Sequence, residues 1–405
     1  MKKKIGITVV GQGFVGLVNF LITLSFLKFS SPGEFGVYAL IFSIMLLFGG
    51  IQNALVNTPL AVYHAAALDH TLQTDIDQSI KLVSRVNNLM AALMVFLAWW
   101  LLAGADWLFS AAVGLLILAH QVREYHKNRA IVMAEVTKSA LSDILYSVMF
   151  VMAMAYLAQT EVTVEYVVYS QILAMAISSF IFIGSPVKSI GIKPAWQTYR
   201  AIFTDSRWSL LGVFSSEIQS RGYIYILAYF FSANIVGLVQ AGKVFFGPLN
   251  MVVMAWGKIY RPKFAKMIAQ NDPILKIMLI SALTFGAMNA VFYALAIINW
   301  DLISGLIFSD EYSNVKIYFS LWSVVLLFVH WRTILSIVCQ SAKLFKPLAI
   351  IGMISVVISL LSLVIILNIS GVEFVPVSVV LSEIFLVIGL ISVLKNRGVG
   401  GHASA

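Results

Sequence analysis

WSLLGVFSSEIQSRGYIYILAYFFSANIVGLVQAGKVFFGPLNMVVMAWGK, residues 208–258, holds two apolar runs, at about 208–230 and 235–258, each long enough to cross a bilayer as a helix. Polar residues interrupt both runs in a pattern. In the first, Ser209, Ser216, Glu217, Ser220 and Arg221 cluster on one side of a helix; in the second, Gln240, Lys243, Gly247 and Asn250 recur at intervals of three and four. Each polar side chain in hydrocarbon costs free energy, so these faces must meet other helices or water. At 1.5 Å per residue, Arg221 lies roughly 20 Å from the cytoplasmic end of its helix, and Lys243 lies roughly 12 Å deep from the opposite side. Both cations sit near mid-membrane, and Glu217 is four residues from Arg221, a spacing that lets them pair.

The rest of the chain is of the same kind. Its 405 residues are 60% hydrophobic and only 11% charged, with a mean hydropathy of +0.93, which excludes an ordinary water-soluble domain. Ten further apolar segments fall at about 5–28, 35–62, 83–104, 107–126, 139–158, 164–185, 277–299, 316–339, 347–368 and 374–394. The expected fold is therefore an all-α polytopic membrane protein of about twelve spans. Met1-Lys2-Lys3-Lys4 opens like a signal peptide, but Gln12 and Asn19 interrupt the following run and no small-residue cleavage site ends it, so it reads as an uncleaved first span. With the N-terminus placed in the cytoplasm, the inner loops gather nearly all Lys and Arg, from Lys81 and Arg85 to Lys395 and Arg397. The outer loops keep only Lys28 and Lys316 beside acids such as Asp106, Asp301 and Asp310. That is the positive-inside bias, and it places both termini in the cytoplasm. The net charge of +9 is thus a topology signal and not a nucleic-acid patch.

The longest connection, about 186–207, divides the chain into an N-terminal six-helix lobe (1–187), a cytoplasmic linker (188–207), a C-terminal six-helix lobe (208–395) and a tail (396–405). A slide of about 200 residues pairs GEFGVYAL (33–40) with NIVGLVQA (234–241), bringing Gly36 onto Gly237 at the start of the second helix of each half. In both halves that helix ends in a proline, Pro59 or Pro262, followed by an amphipathic stretch. Parallel six-helix repeats of this kind recur in secondary transporters with a site between the halves.

Other spans carry polar stripes too: Gln12, Gly16, Asn19 and Thr23 in the first, Ser43, Gly50, Asn53 and Asn57 in the second. Arg332 shares a face with Ser336 and Gln340 in the tenth span, and Glu383 is central in the twelfth. The C-terminal half thus brings three cations and two carboxylates into the hydrocarbon, whereas the N-terminal half offers mainly amides and hydroxyls. Pairing of Glu217 with Arg221, and of Glu383 with Arg332 or Lys243, would neutralise part of this charge. Three converging cations without matching acids would instead call for an anionic ligand. Asp143, and the face shared by His120, Glu124 and Lys127, read as interfacial anchors near the cytoplasmic side. The tryptophans near span ends, among them Trp99, Trp196 and Trp331, form an aromatic belt. The single Cys339 has no second thiol or His cluster near it, and GQGFVG (11–16) lies in a span and follows no strand, so metal, redox and dinucleotide chemistry have no support.

These elements resemble the Wzx-type polysaccharide flippases of the multidrug/oligosaccharidyl-lipid/polysaccharide exporter superfamily. The resemblance rests on Gln12-Gly13 with Asn19, SPGEFGVYAL (31–40), FSSEIQSRGYIYIL (214–227), NIVGLVQAGKVFFGPLN (234–250), RPKF (261–264) and LIFSDEYSNV (306–315). It implies two pseudo-symmetric six-helix lobes around a central cationic cavity, MATE-like in architecture, passing an undecaprenyl-diphosphate-linked oligosaccharide across the bacterial inner membrane by alternating access. In that reading Arg221, Lys243 and Arg332 meet the diphosphate, with Gln12, Asn19, Asn53, Asn57, Gln240 and Asn250 lining the path for the glycan. Glu217, Glu383 and Asp143 are the candidate acids for coupling to a proton or sodium gradient, and no cofactor or metal is implied. A polysaccharide polymerase and a chain-length regulator are the partners the resemblance brings, beside membrane lipid. Lipid II flippases usually have fourteen spans and cation exporters acidic cavities, both unlike this chain. The competing expectations are a cation-coupled drug or metabolite exporter of the same superfamily and a membrane-embedded polymerase, the latter set back by outer loops too short for a reaction centre.

Overall fold

The structure is a computed structural model that describes residues 2–66, 69–160, 162–183, 192–312 and 314–397; the side chains of residues 2–13, 65, 66, 70, 192, 193, 205, 208 and 258 lie outside the description. Among the described residues the regular structure is helical and no strand occurs. All twelve predicted segments fall on helices: α1 (Lys2–Phe29), α2 (Pro32–Gln52) continued by a π-helical turn (Asn53–Asn57) and α3 (Thr58–Ala66), α4 (His70–Leu101), α5 (Trp107–Val132), α6 (Val136–Leu157) and α7 (Val164–Ser179). Then come α8 (Ile192–Phe230), α9 (Ala233–Val244), α10 (Gly247–Ala269), α11 (Leu275–Ile298), α12 (Trp300–Ile307), α13 (Val315–Ser341), α14 (Phe345–Ile369) and α15 (Val375–Asn396). Among the described residues eight helical segments are long and apolar enough to cross a membrane, and nine when α9 and α10 count as one bent span. The chain is an integral, multi-pass membrane protein.

Polar residues at the ends of the apolar runs start several helices. Asp106 accepts from the Leu108 N–H at 2.9 Å ahead of α5, Thr163 from Tyr166 N–H at 3.4 Å ahead of α7, and Ser232 from Ile235 N–H at 3.4 Å ahead of α9. Each cap satisfies an amide that the first turn leaves without an intrahelical partner.

Two expectations about helix boundaries are corrected. Residues from Ile192 onward, read from the sequence as connection, are the first turns of the 39-residue α8. They are amphipathic: Ala195, Tyr199, Ile202 and Ser206 are buried at intervals of three and four while Trp196, Arg200 and Phe203 are exposed. The second correction concerns the eighth span, which breaks between α9 and α10 with a bend of more than 40°. Phe245 and Phe246 occupy the break, each stacked or edge-on to Phe319, with Phe292, Trp300 and Phe308 completing an aromatic cluster. Pro248, in the first turn of α10, has no N–H to give and its ring would meet the Val244 carbonyl in a continuous helix, so the chain breaks here and the rings pack around the bend.

The helices pack as two units, Met1–Ser30 with Leu40–Phe214, and Ser31–Ala39 with Ser215–Ala405. In the first, α5 is the hub, touching α4, α6 and α7; in the second, α13 is the hub, touching α9, α10, α11 and α15. The same order of neighbours recurs: α7 packs on both α5 and α6, and α15 packs on both α13 and α14. The start of α2 belongs to the second unit, where Gly36 meets Gly237. A Cβ on Gly36 would overlap the carbonyl oxygen of Ala233, and one on Gly237 would overlap that of Pro32. The two glycines that the sequence repeat aligns therefore touch each other, each against the carbonyl four residues before the other.

Candidate functional site

Of the three cations the sequence placed in mid-span, Lys243 is the one with no ion pair among the described residues. Its position begins with Gly242, where any Cβ would come within 2.6 Å of the Phe319 backbone nitrogen, so α9 can lie this close to α13 only with glycine there. One turn further along α13, the Trp322 indole N–H donates to the Val239 carbonyl at 2.8 Å, which fixes the ring under the next residue of α9. The Lys243 Nζ lies 4.5 Å from the centroid of the Trp322 ring and 5.7 Å from that of Tyr223. It approaches the Tyr223 hydroxyl at 3.5 Å, and the same hydroxyl accepts from Gln240 Nε2 at 2.8 Å. No carboxylate lies within ion-pair distance of Lys243 among the described residues. Ring faces attract an ammonium by about 0.5–2 kcal/mol, less than several kcal/mol of desolvation, and three N–H donors exceed the one long contact made. Donor capacity at Nζ is left unfilled.

The other two predicted cations are matched, so of the two alternatives the sequence left open the pairing one holds for Arg221 and Arg332. Arg221 is paired with Glu217 one turn before it, as their spacing allows. Arg332 Nε donates to Glu383 Oε2 at 2.6 Å, and Gln219 Nε2 donates to the other oxygen at 3.1 Å. Packing of α13 on α15 turns Arg332 toward Glu383, so of the two bridges open to that acid the one to Arg332 forms. With Arg221 paired to Glu217 and Arg332 to Glu383, Lys243 is the third cation beside two carboxylates.

The predicted amides are not gathered into one stripe. The α9–α10 break interrupts the helical period, so Gln240 joins Lys243 on Tyr223 while the Asn250 side chain meets His330 Nε2 at 3.1 Å. Asn19, Asn53 and Asn57 belong to the first unit. Asn53 is exposed, and Asn57 is buried in the π-helical turn with its Oδ1 lacking a hydrogen-bond partner among the described residues. Asn19 is half-buried; its carbonyl accepts from Thr23 Oγ1 at 2.8 Å. The Gln12 side chain lies outside the described residues.

The first unit is also more highly charged inside than its sequence implied. Asp143 Oδ1 receives both Arg123 Nη2 and Lys127 Nζ at 2.7 Å, and Glu124 receives Lys127 at 2.8 Å and Arg123 at 3.4 Å. Arg123 also donates to Ser178 Oγ at 3.0 Å and lies 4.5 Å from the Tyr146 ring centroid. Beside the amides and hydroxyls that mainly mark this half in the sequence stands a charge network in which the Asp143 side chain is 4% exposed. Two cations facing two carboxylates leave this network balanced, in contrast to the surroundings of Lys243.

Tyr223, Trp322 and Gln219 complete the second unit's site and were not singled out in the sequence. Tyr223 sits two residues beyond Arg221 in a run already rich in tyrosine, and Trp322 lies two turns into α13, no more central than the belt residue Trp331, so neither carried a distinguishing signal. Among the described residues no group of three or more His, Cys, Asp or Glu side chains could hold a metal ion.

No protein-family model matches the chain, and no curated protein matches it in sequence. Solved structures do resemble it. The lipid II flippase MurJ in an inward closed conformation superposes with a TM-score of 0.72 at 11% identity, covering 96% of this chain and 87% of that one. An inward-facing multidrug resistance MATE family transporter of the MOP superfamily gives 0.66 at 12% identity, with 96% of each chain covered. The Vibrio cholerae MATE transporter VcmN gives 0.60 at 13% identity, with 98% of each covered. At such identities the likeness is one of fold, and it extends over nearly the whole length.

Proposed function

We propose that this protein moves a lipid-linked, diphosphate-bearing oligosaccharide between membrane leaflets, as a flippase for cell-surface polysaccharide. The single observation that carries the reading is Lys243, an ammonium deep in a membrane span, held by ring faces and a phenol where a carboxylate would otherwise stand. A phosphate oxygen supplies the missing counter-charge, and a diphosphate linked to undecaprenol is the anion a bilayer presents together with a glycan. The fold is in keeping with this, since one of its likenesses is to a lipid II flippase. A cation-coupled exporter is served less well: Glu217, Glu383 and Asp143 are each occupied by an arginine, and Asp143 by a lysine as well.

Transport proceeds in this reading by alternating access in the inner membrane, from the cytoplasmic to the periplasmic side, with the lipid tail remaining in the bilayer. Glu217 is the carboxylate best placed to exchange with water if a proton or sodium gradient drives the cycle, being 17% exposed against 1% for Glu383 and 4% for Asp143. A polymerase and a chain-length regulator would receive the product. The test is translocation in proteoliposomes of an undecaprenyl-diphosphate-linked oligosaccharide against a neutral polyprenyl glycoside with the same sugars. The diphosphate compound should be moved and the neutral one left behind; equal transport of the two rejects phosphate as the recognised group.

A further inference from the structure

The end of the second unit at which α10 and α15 finish is densely basic. Arg261, Lys263 and Lys266 lie in the last turns of α10, and Lys276 opens α11. Lys343 and Lys346 flank the start of α14, and Lys395 and Arg397 close α15. One apolar cluster holds these helix ends together: Phe264, Ile274, Val338, Cys339 and Leu394 are buried in it, with Met267, Ile277 and Leu344 packed against it. The Ser341 hydroxyl donates to the Arg261 carbonyl at 3.0 Å, tying the end of α13 to α10. A single packed base therefore presents all eight cations, and all eight are exposed. None of them forms an ion pair among the described residues, and Asp272 is the only acid in these segments.

Exposed apolar side chains interleave with the cations. Ile259, Leu275 and Phe345 are 67%, 52% and 60% exposed and stand within two residues of Arg261, Lys276 and Lys346. On α11, Leu279, Ile280 and Leu283 continue the exposed face that Lys276 begins. At 24 and 25 residues, α11 and α14 rise roughly 36 Å, more than a hydrocarbon core of about 30 Å, which sets their basic ends at the headgroup level. Cations at the phosphates with apolar side chains just beyond them match a lipid boundary; an acidic protein would leave the apolar neighbours unmatched. In the first unit the comparable cations are engaged: Arg123, Lys127 and Arg129 are held by carboxylates, and Lys138, near the start of α6, pairs with Glu135 at 2.9 Å.

We propose that this end of the second unit binds the phosphates of anionic phospholipids in the leaflet it faces, their acyl chains lying on the exposed faces of α11 and α14. Lys and Arg clustered beside a span attract anionic headgroups, and here no protein carboxylate competes for them. The positive-inside bias accounts for the sign of this charge but not for its being unpaired in one unit and paired in the other. The surface does not include Lys243 and stands whether or not that group meets a substrate.

The test attaches a bimane to Leu279→Cys or to Leu141→Cys, leucines 54% and 52% exposed that follow Lys276 and Lys138 by one turn. The full-length protein is reconstituted in phosphatidylcholine vesicles holding a minor fraction of phosphatidylglycerol, or of phosphatidylcholine, spin-labelled on the acyl chain near the headgroup. At Leu279→Cys the phosphatidylglycerol should quench about threefold more than the phosphatidylcholine, and at Leu141→Cys the two should quench alike. Lys263→Gln/Lys266→Gln/Lys276→Gln/Lys346→Gln should remove the excess. So should about 1 M salt, where the Debye length is about 3 Å, an arm that needs no further variant to fold. Equal quenching by the two lipids at Leu279→Cys, the same excess at both positions, or an excess that survives either treatment overturns the proposal.

Discussion

Arg332 and Glu383 are unequal partners, because the arginine side chain is 24% exposed and the carboxylate 1%. Removing the arginine strands a buried charge with only Gln219 beside it, whereas removing the glutamate leaves a guanidinium that still reaches water. Breaking a buried pair costs about 3–5 kcal/mol, and the partly exposed side should sit at or below the low end. Thermal midpoints in detergent should therefore fall in the order wild type, Glu383→Gln, Arg332→Met, with Arg332→Met/Glu383→Leu recovering above Arg332→Met alone. Equal losses for the two single variants would mean that burial does not set the energetics of this pair. At Lys243 the relevant neighbour is Tyr223: Tyr223→Phe keeps the ring and removes the hydroxyl shared by Gln240 and Lys243. Transport should drop a few-fold with little change in thermal midpoint, as for one lost hydrogen bond of about 1 kcal/mol. A drop as large as that of a charge deletion would place the phenol, not the ammonium, at the centre of recognition. The i,i+4 spacing of Glu217 and Arg221 made their pairing legible in the sequence. The partner of Glu383 was not, since that choice depends on which faces of α13 and α15 meet.

At the level of helices, Gly36 and Gly237 make the tightest demand, because a methyl at either position lands on a carbonyl of the other helix start. Gly36→Ala and Gly237→Ala should each destabilise by about 3 kcal/mol or more, at the upper end of overpacking costs, and lower the yield of monodisperse protein. Gly212 is the control: a Cβ there meets nothing within 4 Å, and alanine favours a helix interior by about 1 kcal/mol. Gly212→Ala should be neutral or slightly stabilising; if all three variants behave alike, the close approach of α2 to α9 does not constrain the fold. The alignment of these glycines came from the sequence, but their mutual contact could not, because a repeat gives equivalence and not proximity. The break at Phe245–Phe246 did carry a sign, Gly247-Pro248, because a proline there cannot continue α9 without meeting the Val244 carbonyl, but the apolar run around it read as one continuous span. The helical start of α8 was masked by Pro186, Pro194 and the basic residues around them, which read as connection.

Across the whole molecule, the twelve segments were legible because the bilayer forces each backbone to satisfy itself within a helix, and apolar length records that demand directly. The buried Arg123–Asp143–Lys127–Glu124 network was not, since charges near a span end look alike whether they face water or one another. The basic residues also predict sidedness. Cys339 is fully buried, so new cysteines can be labelled against a quiet background. With a membrane-impermeant maleimide, Lys343→Cys should react from the cytoplasm and Asp310→Cys from the opposite face; the reverse pattern would invert the topology and with it the direction of transport.

Phosphate recognition rests on the Lys243 ammonium, and its most direct measure is the initial rate of lipid-linked oligosaccharide translocation in proteoliposomes for wild type, Lys243→Arg and Lys243→Gln at equal reconstituted amounts. Loss of a charge-assisted contact to phosphate predicts a fall of about tenfold or more for Lys243→Gln, with Lys243→Arg retaining much of the activity. Wild-type rates in Lys243→Gln would contradict it.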